Sequence, residues 1–289
     1  MFKGSIVAIV TPFKSDRSMD FEAFARLVDF HLAQGTHGIL PCGCTGEAAT
    51  LSHDEQKACI KFVIERVAGR IPVVAGTGSN NTQEAIELTQ YAAEVGADAA
   101  LLITPYYNKP TAEGQIAHYT AVANAVEIPI MLYNVPGRTG TQMMPETIAE
   151  MAKVKNITAI KEACGSVDQV SQILSLCDIT VMSGDDSLTM PMMAVGATGV
   201  VSVAANVAPA KVAALTEAMA KGDLEGARAL HFELMPLLKG LFLESNPMPL
   251  KAAMAAMGLI ENVLRLPLTS MQPSIYKELE PILKAQGLI

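Results

Sequence analysis

Ile157-Thr158-Ala159-Ile160-Lys161-Glu162 is the stretch whose reading decides the fold. An apolar, β-branched run of this length suits a strand paired on both edges and covered on both faces. It runs into a lysine, and the carboxyl end of a strand is where a parallel α/β barrel carries its chemistry. Two readings of that lysine compete. Its stem can snorkel along the strand end and leave the ammonium in water. Alternatively, burial lowers its pKa and frees a neutral amine to attack a carbonyl. The hexapeptide alone favours the first reading, and the rest of the chain reverses the order.

Working outward, the same alternation repeats on both sides. Downstream lie a helical pattern over Val167–Leu176, a strand over 179–184, a helix over 187–195, a strand over 199–202 and a helix over 209–221. Upstream, strands are expected over 6–10, 38–41, 71–76, 99–104 and 129–134. Helices are expected between them over 20–34, from the Ser52/Glu55 capping box, over 82–95, 111–126 and 145–152. Eight strands, each followed by a helix, predict an α/β (β/α)8 TIM barrel. An open doubly wound sheet is the runner-up. It would normally show a Gly-rich phosphate turn after the first strand, where this chain has Thr11-Pro12-Phe13-Lys14.

After Lys221 the alternation stops, and helices are expected over 223–245, 247–257 and 274–286. The reading is therefore a catalytic barrel over 1–222 and a helical C-terminal appendage over 223–289, packed on the barrel or on a partner subunit.

The chain has 289 residues, half of them hydrophobic, and a formal net charge of -8. With no basic run, nucleic acid is not an expected partner. Five cysteines at spacings that suit no disulfide framework predict a reducing, cytoplasmic setting. Cys42-Gly43-Cys44 has no companion pair at zinc spacing, so no metal is expected. No signal-peptide layout opens the chain and no apolar run reaches membrane-spanning length, so no membrane is expected.

The expected strand ends are Thr11, Gly43-Cys44-Thr45-Gly46-Glu47, Gly76-Thr77-Gly78, Pro105-Tyr106-Tyr107, Tyr133-Asn134, Lys161-Glu162, Gly184-Asp185 and Val201-Ser202. They offer one amine, several hydroxyls and two glycine turns, without a histidine, a carboxylate trio or a phosphate cradle. That set disfavours metal-assisted hydrolysis and nucleotide chemistry and fits imine chemistry, with a phenol moving the protons. Each residue also has a structural alternative. Tyr133 can be a core tyrosine and Thr45 a helix cap. Arg138 can be a solvated loop charge or a bidentate carboxylate clamp. Glu162 points to the opposite face from Lys161 and reads as structural, and Asp185-Asp186 read as a turn and cap pair.

Taken together, Gly-x-Thr-Gly-Glu at 43–47, Pro105-Tyr106-Tyr107-Asn108-Lys109-Pro110, Tyr133-Asn134-Val135-Pro136-Gly137-Arg138-Thr139 and Ile160-Lys161-Glu162-Ala163 occur in an order that resembles the dihydrodipicolinate synthase family. The resemblance runs from Gly4 to the helical tail. It implies a class I aldolase-like barrel that forms a Schiff base between Lys161 and pyruvate. Tyr133 would be the proton donor and acceptor, and Tyr107 a relay residue reaching into a neighbouring subunit's site. Thr45 and Val201 would contact pyruvate, and Gly184 would offer a carbonyl near the incoming aldehyde. Arg138 would hold the carboxylate of L-aspartate 4-semialdehyde. No cofactor is implied beyond the lysine. The implied assembly is a homotetramer built as a dimer of dimers.

The related N-acetylneuraminate lyases do not usually carry arginine after the Tyr-Asn-x-Pro turn, and a second aldehyde with its own carboxylate calls for a cation there, so Arg138 favours this synthase over an N-acetylneuraminate lyase or a keto-sugar acid aldolase. From another class, a non-catalytic binding barrel is disfavoured by the joint presence of Lys161, Tyr133 and Thr45. One departure stands out: the family pattern has Thr or Ser where this chain has Cys44, so a relay linking the tyrosines would run through a thiol. The resemblance also implies a regulatory lysine pocket at Ala49, His53, Asn80, Glu84 and Tyr106. Gln56 there replaces a basic or histidine side chain, which implies weak inhibition.

Overall fold

A computed structural model describes residues 2–289. Eight parallel strands make the inner wall: β1 (Gly4–Ala8), β2 (Gly38–Leu40), β3 (Val74–Gly76), β4 (Ala99–Ile103), β5 (Ile130–Asn134), β6 (Ile157–Glu162), β7 (Thr180–Ser183) and β8 (Gly199–Ser202). Their order is β2-β1-β8-β7-β6-β5-β4-β3. A parallel bridge between Ile39 and Val73 joins the two ends, supported by Ile39 N–H on the Pro72 carbonyl and Gly76 N–H on that of Pro41, each at 3.0 Å. The sheet thus curls back on itself as a (β/α)8 barrel, the expected fold class.

The helices follow as α1 (Phe21–Ala33), α2 (His53–Val67), α3 (Thr82–Glu94), α4 (Ala112–Asn124), α5 (Pro136–Thr139), α6 (Pro145–Met151), α7 (Val167–Leu176), α8 (Thr189–Ala194), α9 (Pro209–Ala220), α10 (Leu224–Gly240), α11 (Met248–Ala256) and α12 (Pro273–Ala285). Local chemistry sets their starts. Asp20, Thr111, Ser166 and Asp223 each accept a backbone N–H of the first turn, and Ser52 with Glu55 forms the expected capping box. Among the described residues no helix is long and apolar enough to cross a membrane.

Several boundaries shift, for identifiable reasons. Strand one ends at Ala8 rather than Val10, because Val10 N–H leaves the ladder for the side chain of Asn206 at 3.2 Å. Strand three begins at Val74 rather than Ile71, since Pro72 offers no N–H to a ladder. The helix expected over 187–195 is split: a 3-10 turn over Asp186–Leu188 precedes α8, with Asp185 capping Ser187. The helix expected to reach Ser245 stops at Gly240, and 241–245 turns towards the barrel mouth ahead of Pro247. Leu241, Phe242 and Leu243 continue the apolar pattern past the true end, which is why the sequence overruns it.

Side-chain alternation sorts the barrel into two layers. Met131, Tyr133, Ala159, Met182 and Val201 fill the inside. Leu132, Ile160 and Val181 face the surrounding helices. The C-terminal helices share a core with the barrel: Leu234, Leu237, Leu250 and Leu279 cluster with Val7, Ile39 and Val200. A salt-linked staple joins the same two parts. Arg265 makes a bidentate pair with Glu55, both contacts at 2.7 Å, and its guanidinium lies over the Phe13 ring. Those contacts hold the Glu55 carboxyl down to about 2.

Candidate active site

Parallel pairing puts Tyr133 of β5 directly beside Lys161 of β6, and Asn134 beside Glu162. Alternation then turns the first pair into the barrel and the second outward. Glu162 is fully buried and accepts from Asn134 Nδ2 at 3.0 Å, Gln169 Nε2 at 3.1 Å and Cys164 N–H at 2.8 Å. It is structural, as its position on the strand indicates.

The Lys161 ammonium lies 4.1 Å from the centre of the Tyr133 ring. Lys161 is buried, and burial brings its pKa down to about 8; Cys44 and Asp186 act in the opposite sense, and Arg138 adds to the lowering. Burial also pushes the Tyr133 phenol well above its usual range, with Cys44 adding to the rise and Arg138 opposing it. The outcome is a nucleophile partly neutral at neutral pH beside a phenol that keeps its proton.

Gly184 leaves the lysine room. A methyl group there would stand 2.7 Å from Ala163 Cβ and 3.0 Å from Lys161 Cγ. The turn at the end of β2 supplies a candidate anion site. Gly46, Glu47 and Ala48 donate their N–H groups back into the turn. The N–H groups of Cys44 and Thr45 take no backbone acceptor among the described residues. Free amides beside a hydroxyl suit a carboxylate.

Two clefts open at this end of the barrel. One, of about 320 Å³, holds Lys161, Thr45, Gly184, Val203, Lys239 and Phe242. The other, of about 400 Å³, extends over Ala49, Gln56, Gly78, Ile103 and Tyr106. Cys44, Tyr133, Arg138 and Asn246 line both. Arg138 sits on the one-turn helix α5 rather than in an open loop, and Pro136 at its first turn favours that conformation. Its Nη2 donates to the Asn246 carbonyl at 3.0 Å.

The remaining candidates fall in three places. Val201 points into the barrel core, and Val203 forms the cleft wall beyond it. Tyr107 has a φ of 69°, is 89% exposed and lines neither cleft. Around the second cleft, His53 Nε2 stands 3.7 Å from Glu84, and Asn80 Nδ2 donates to the Tyr106 carbonyl at 3.2 Å. Ala49 and Tyr106 line that cleft.

Two residues beyond the sequence reading join the site. Asp186, read as a cap, is instead turned inward. Its carboxylate accepts from Ser202 Oγ and from Val203 and Ala204 N–H at 2.9 and 3.0 Å, fixing the end of β8. Burial raises its pKa. Asn246, from the helical appendage, donates to Thr45 Oγ1 at 3.0 Å. An Asn-Pro break between two helical patterns was the available signal for a turn there.

Residues 1–286 match the model of the dihydrodipicolinate synthetase family. A 4-hydroxy-tetrahydrodipicolinate synthase of Geobacter metallireducens is 56% identical over 100% of both chains. The crystal structure of dihydrodipicolinate synthase from Aquifex aeolicus superposes with a TM-score of 0.98 at 48% identity, covering 99% of each chain. A dihydrodipicolinate synthase from Acinetobacter baumannii, complexed with pyruvate, gives 0.98 at 46% identity over 100% of both.

Proposed function

Because the chain belongs to the dihydrodipicolinate synthetase family, we infer that Lys161 and Tyr133 divide the chemical work of its reaction. The chain is a Schiff-base-forming lyase. It condenses pyruvate with L-aspartate 4-semialdehyde to give 4-hydroxy-tetrahydrodipicolinate, the committed step towards diaminopimelate and lysine.

The neutral Lys161 amine attacks C2 of pyruvate, and loss of water leaves an imine. The imine draws electrons from the methyl group, so a proton can leave and an enamine forms. Its carbon attacks the aldehyde, and Tyr133 exchanges protons at these steps. The semialdehyde's own amine then displaces Lys161 from C2, closing the ring and returning the free lysine. The single observation that carries this reading is the buried Lys161 amine, held down to about 8, over a phenol that stays protonated.

The substrate roles rest on chemistry and placement. Thr45, with its hydroxyl and the free N–H groups of its turn, suits the pyruvate carboxylate. Val201, on the inner face of β8, would contact pyruvate from the barrel core. Gly184, in the cleft with Lys161 and Thr45, would offer its carbonyl to the incoming aldehyde, and Arg138, which lines both clefts, suits the second carboxylate. Cys44 is the link between Tyr133 and an incoming Tyr107 from a partner subunit, and the exposure of Tyr107 supports that route. The reading requires at least a dimer and extends to a tetramer of two tight dimers. The barrel over 1–222 carries the chemistry and the helical unit over 223–289 closes its mouth. A biosynthetic role supports a cytoplasmic location. Lysine itself would bind at Ala49, His53, Asn80, Glu84 and Tyr106 as a feedback ligand.

The test is borohydride reduction in the presence of pyruvate, followed by peptide mass spectrometry and a condensation assay with the semialdehyde. One pyruvate-derived unit on Lys161 is expected. A label on another lysine, or none, overturns the mechanism.

A further inference from the structure

Asn246 stands between the two groups assigned to the two substrates. Its side-chain Nδ2 donates to Thr45 Oγ1 at 3.0 Å, and its main-chain carbonyl accepts from Arg138 Nη2 at 3.0 Å. It is 4% exposed, lines both clefts, and its Oδ1 has no hydrogen-bond partner among the described residues. The amide therefore has no side-chain hydrogen bond that competes with the one to Thr45.

The direction of that bond has a chemical consequence. A threonine hydroxyl carries one proton and two lone pairs. When an N–H occupies one lone pair, the hydroxyl's own proton must point elsewhere. Thr45 Oγ1 has no protein acceptor among the described residues, so its proton is free for an anion in the cleft. We propose that Asn246 is a positioning residue for pyruvate: it sets the Thr45 hydroxyl as a donor to the substrate carboxylate. Its main-chain carbonyl holds Arg138 at the neighbouring position, so one residue of the helical appendage registers both carboxylate sites. The inference rests on the reading of Thr45 as a pyruvate contact.

Two substitutions separate this role from packing. Asn246→Asp keeps the shape but replaces the donor with a carboxylate, which takes the Thr45 proton for itself. Asn246→Ala removes more atoms but leaves the Thr45 hydroxyl free to turn. The aspartate variant should raise the pyruvate KM, and the pyruvate concentration that half-saturates borohydride trapping, by roughly ten- to hundredfold. The alanine variant should raise both by less. The semialdehyde KM should stay within about twofold in each, because the main-chain carbonyl remains on Arg138. In a Thr45→Val background, Asn246→Asp should add no further loss for pyruvate.

An alanine variant worse than the aspartate variant assigns Asn246 to packing and overturns the proposal. A neutral aspartate beside an impaired alanine shows Thr45 donating to Asn246, which also overturns it. So does an unchanged pyruvate KM in both, or failure of both variants to fold by circular dichroism. Trapping of the parent at Lys161, run alongside, keeps these outcomes distinct from a failure of the imine mechanism.

Discussion

Lys161 and Tyr133 occupy one rung of the sheet, with the ammonium 4.1 Å from the ring centre. A cation over a phenol face is stabilised by the ring quadrupole. Burial outweighs that attraction here, since the lysine comes down to about 8 rather than up. The same burial holds the phenol proton in place. One buried environment thus brings the amine closer to its base form and keeps the phenol in its acid form, side by side, the combination that imine formation uses.

The pH dependence of imine formation follows from that lowering. Only the neutral amine attacks, so the rate should rise with pH and level off above about 8. At pH 7 roughly one lysine in ten would be neutral, against fewer than about one in a thousand for an unperturbed side chain. The initial rate of borohydride trapping at low pyruvate, measured from pH 6 to 10, checks this. A midpoint above about 10 would show an unperturbed, solvated lysine.

Arg138→Ala separates the two substrates. Losing a charge-assisted carboxylate contact costs about 1.5–3 kcal/mol, or roughly ten- to hundredfold in condensation. Pyruvate trapping at Lys161 should persist, with its pH midpoint moved upward, because the guanidinium contributes to lowering the lysine. If trapping and condensation fall together, Arg138 serves the fold through its bond to the Asn246 carbonyl.

How far the sequence carried the fold follows from the range of the forces involved. Strand β6 was readable because burial on both faces writes an apolar run interrupted only by Thr158, and the position of Lys161 near its end follows from counting. Glu162 was readable as structural because strand alternation is strict. Asp186 was not. Its sequence, Asp185-Asp186 before a helix, matches a cap pair, and only the approach of Ser202, Val203 and Ala204 turns it inward. Asn246 was invisible for the same reason: its partner Thr45 lies 201 positions away, and no local pattern encodes that contact. Val10 belongs with them, drawn from its strand by Asn206. Periodicity reports burial and local propensity; polar contacts between distant segments leave no periodic trace.

A second link between barrel and appendage, separate from the Arg265–Glu55 staple, yields a stability prediction. Lys251 and Glu47 form a fully buried ion pair, with Lys251 Nζ also donating to the Val263 carbonyl at 3.0 Å. Burial brings Lys251 down to about 8, against the pull of Glu47. Lys251→Met leaves the buried carboxylate with the Arg265 backbone N–H at 3.1 Å but without its cation, and should cost about 3–5 kcal/mol, whereas Glu47→Gln combined with Lys251→Met should cost clearly less than the single change. Chemical denaturation of the three chains measures it. Equal losses in the single and double variants would mean that the lysine stem, not the ion pair, supplies the stability.

Feedback by lysine is expected to be weak but present. Glu84 would pair with the ligand's α-amine, although in the free chain it already accepts from Ser79 Oγ at 2.7 Å and lies 3.7 Å from His53. Asn80 would supply polar contacts, and Gln56, on the cleft wall, lacks the charge of a basic side chain there. Titration with L-lysine into the millimolar range should lower the rate progressively, and Glu84→Gln should weaken that response. A flat titration removes the pocket's regulatory role.

Cys44 tests the proton route. It touches both clefts, is half-buried, and acts on Tyr133 and Lys161 alike. A thiol is a weaker donor and acceptor than a hydroxyl. A relay from Tyr133 through Cys44 to an incoming Tyr107 should therefore move protons less well than one through threonine, and relay groups typically contribute about 10²–10⁴-fold. Cys44→Thr should raise kcat and leave pyruvate trapping intact, whereas Cys44→Val should lower kcat by removing the relay atom altogether. The thiol should also react with an alkylating reagent, and pyruvate should slow that reaction by filling the adjacent anion site. Parent, threonine and valine chains agreeing in kcat within a factor of about two would mean that the barrier does not sense position 44. Tyr133 would then exchange its proton through water, and the exposed Tyr107 would have no catalytic reason to reach a partner's barrel.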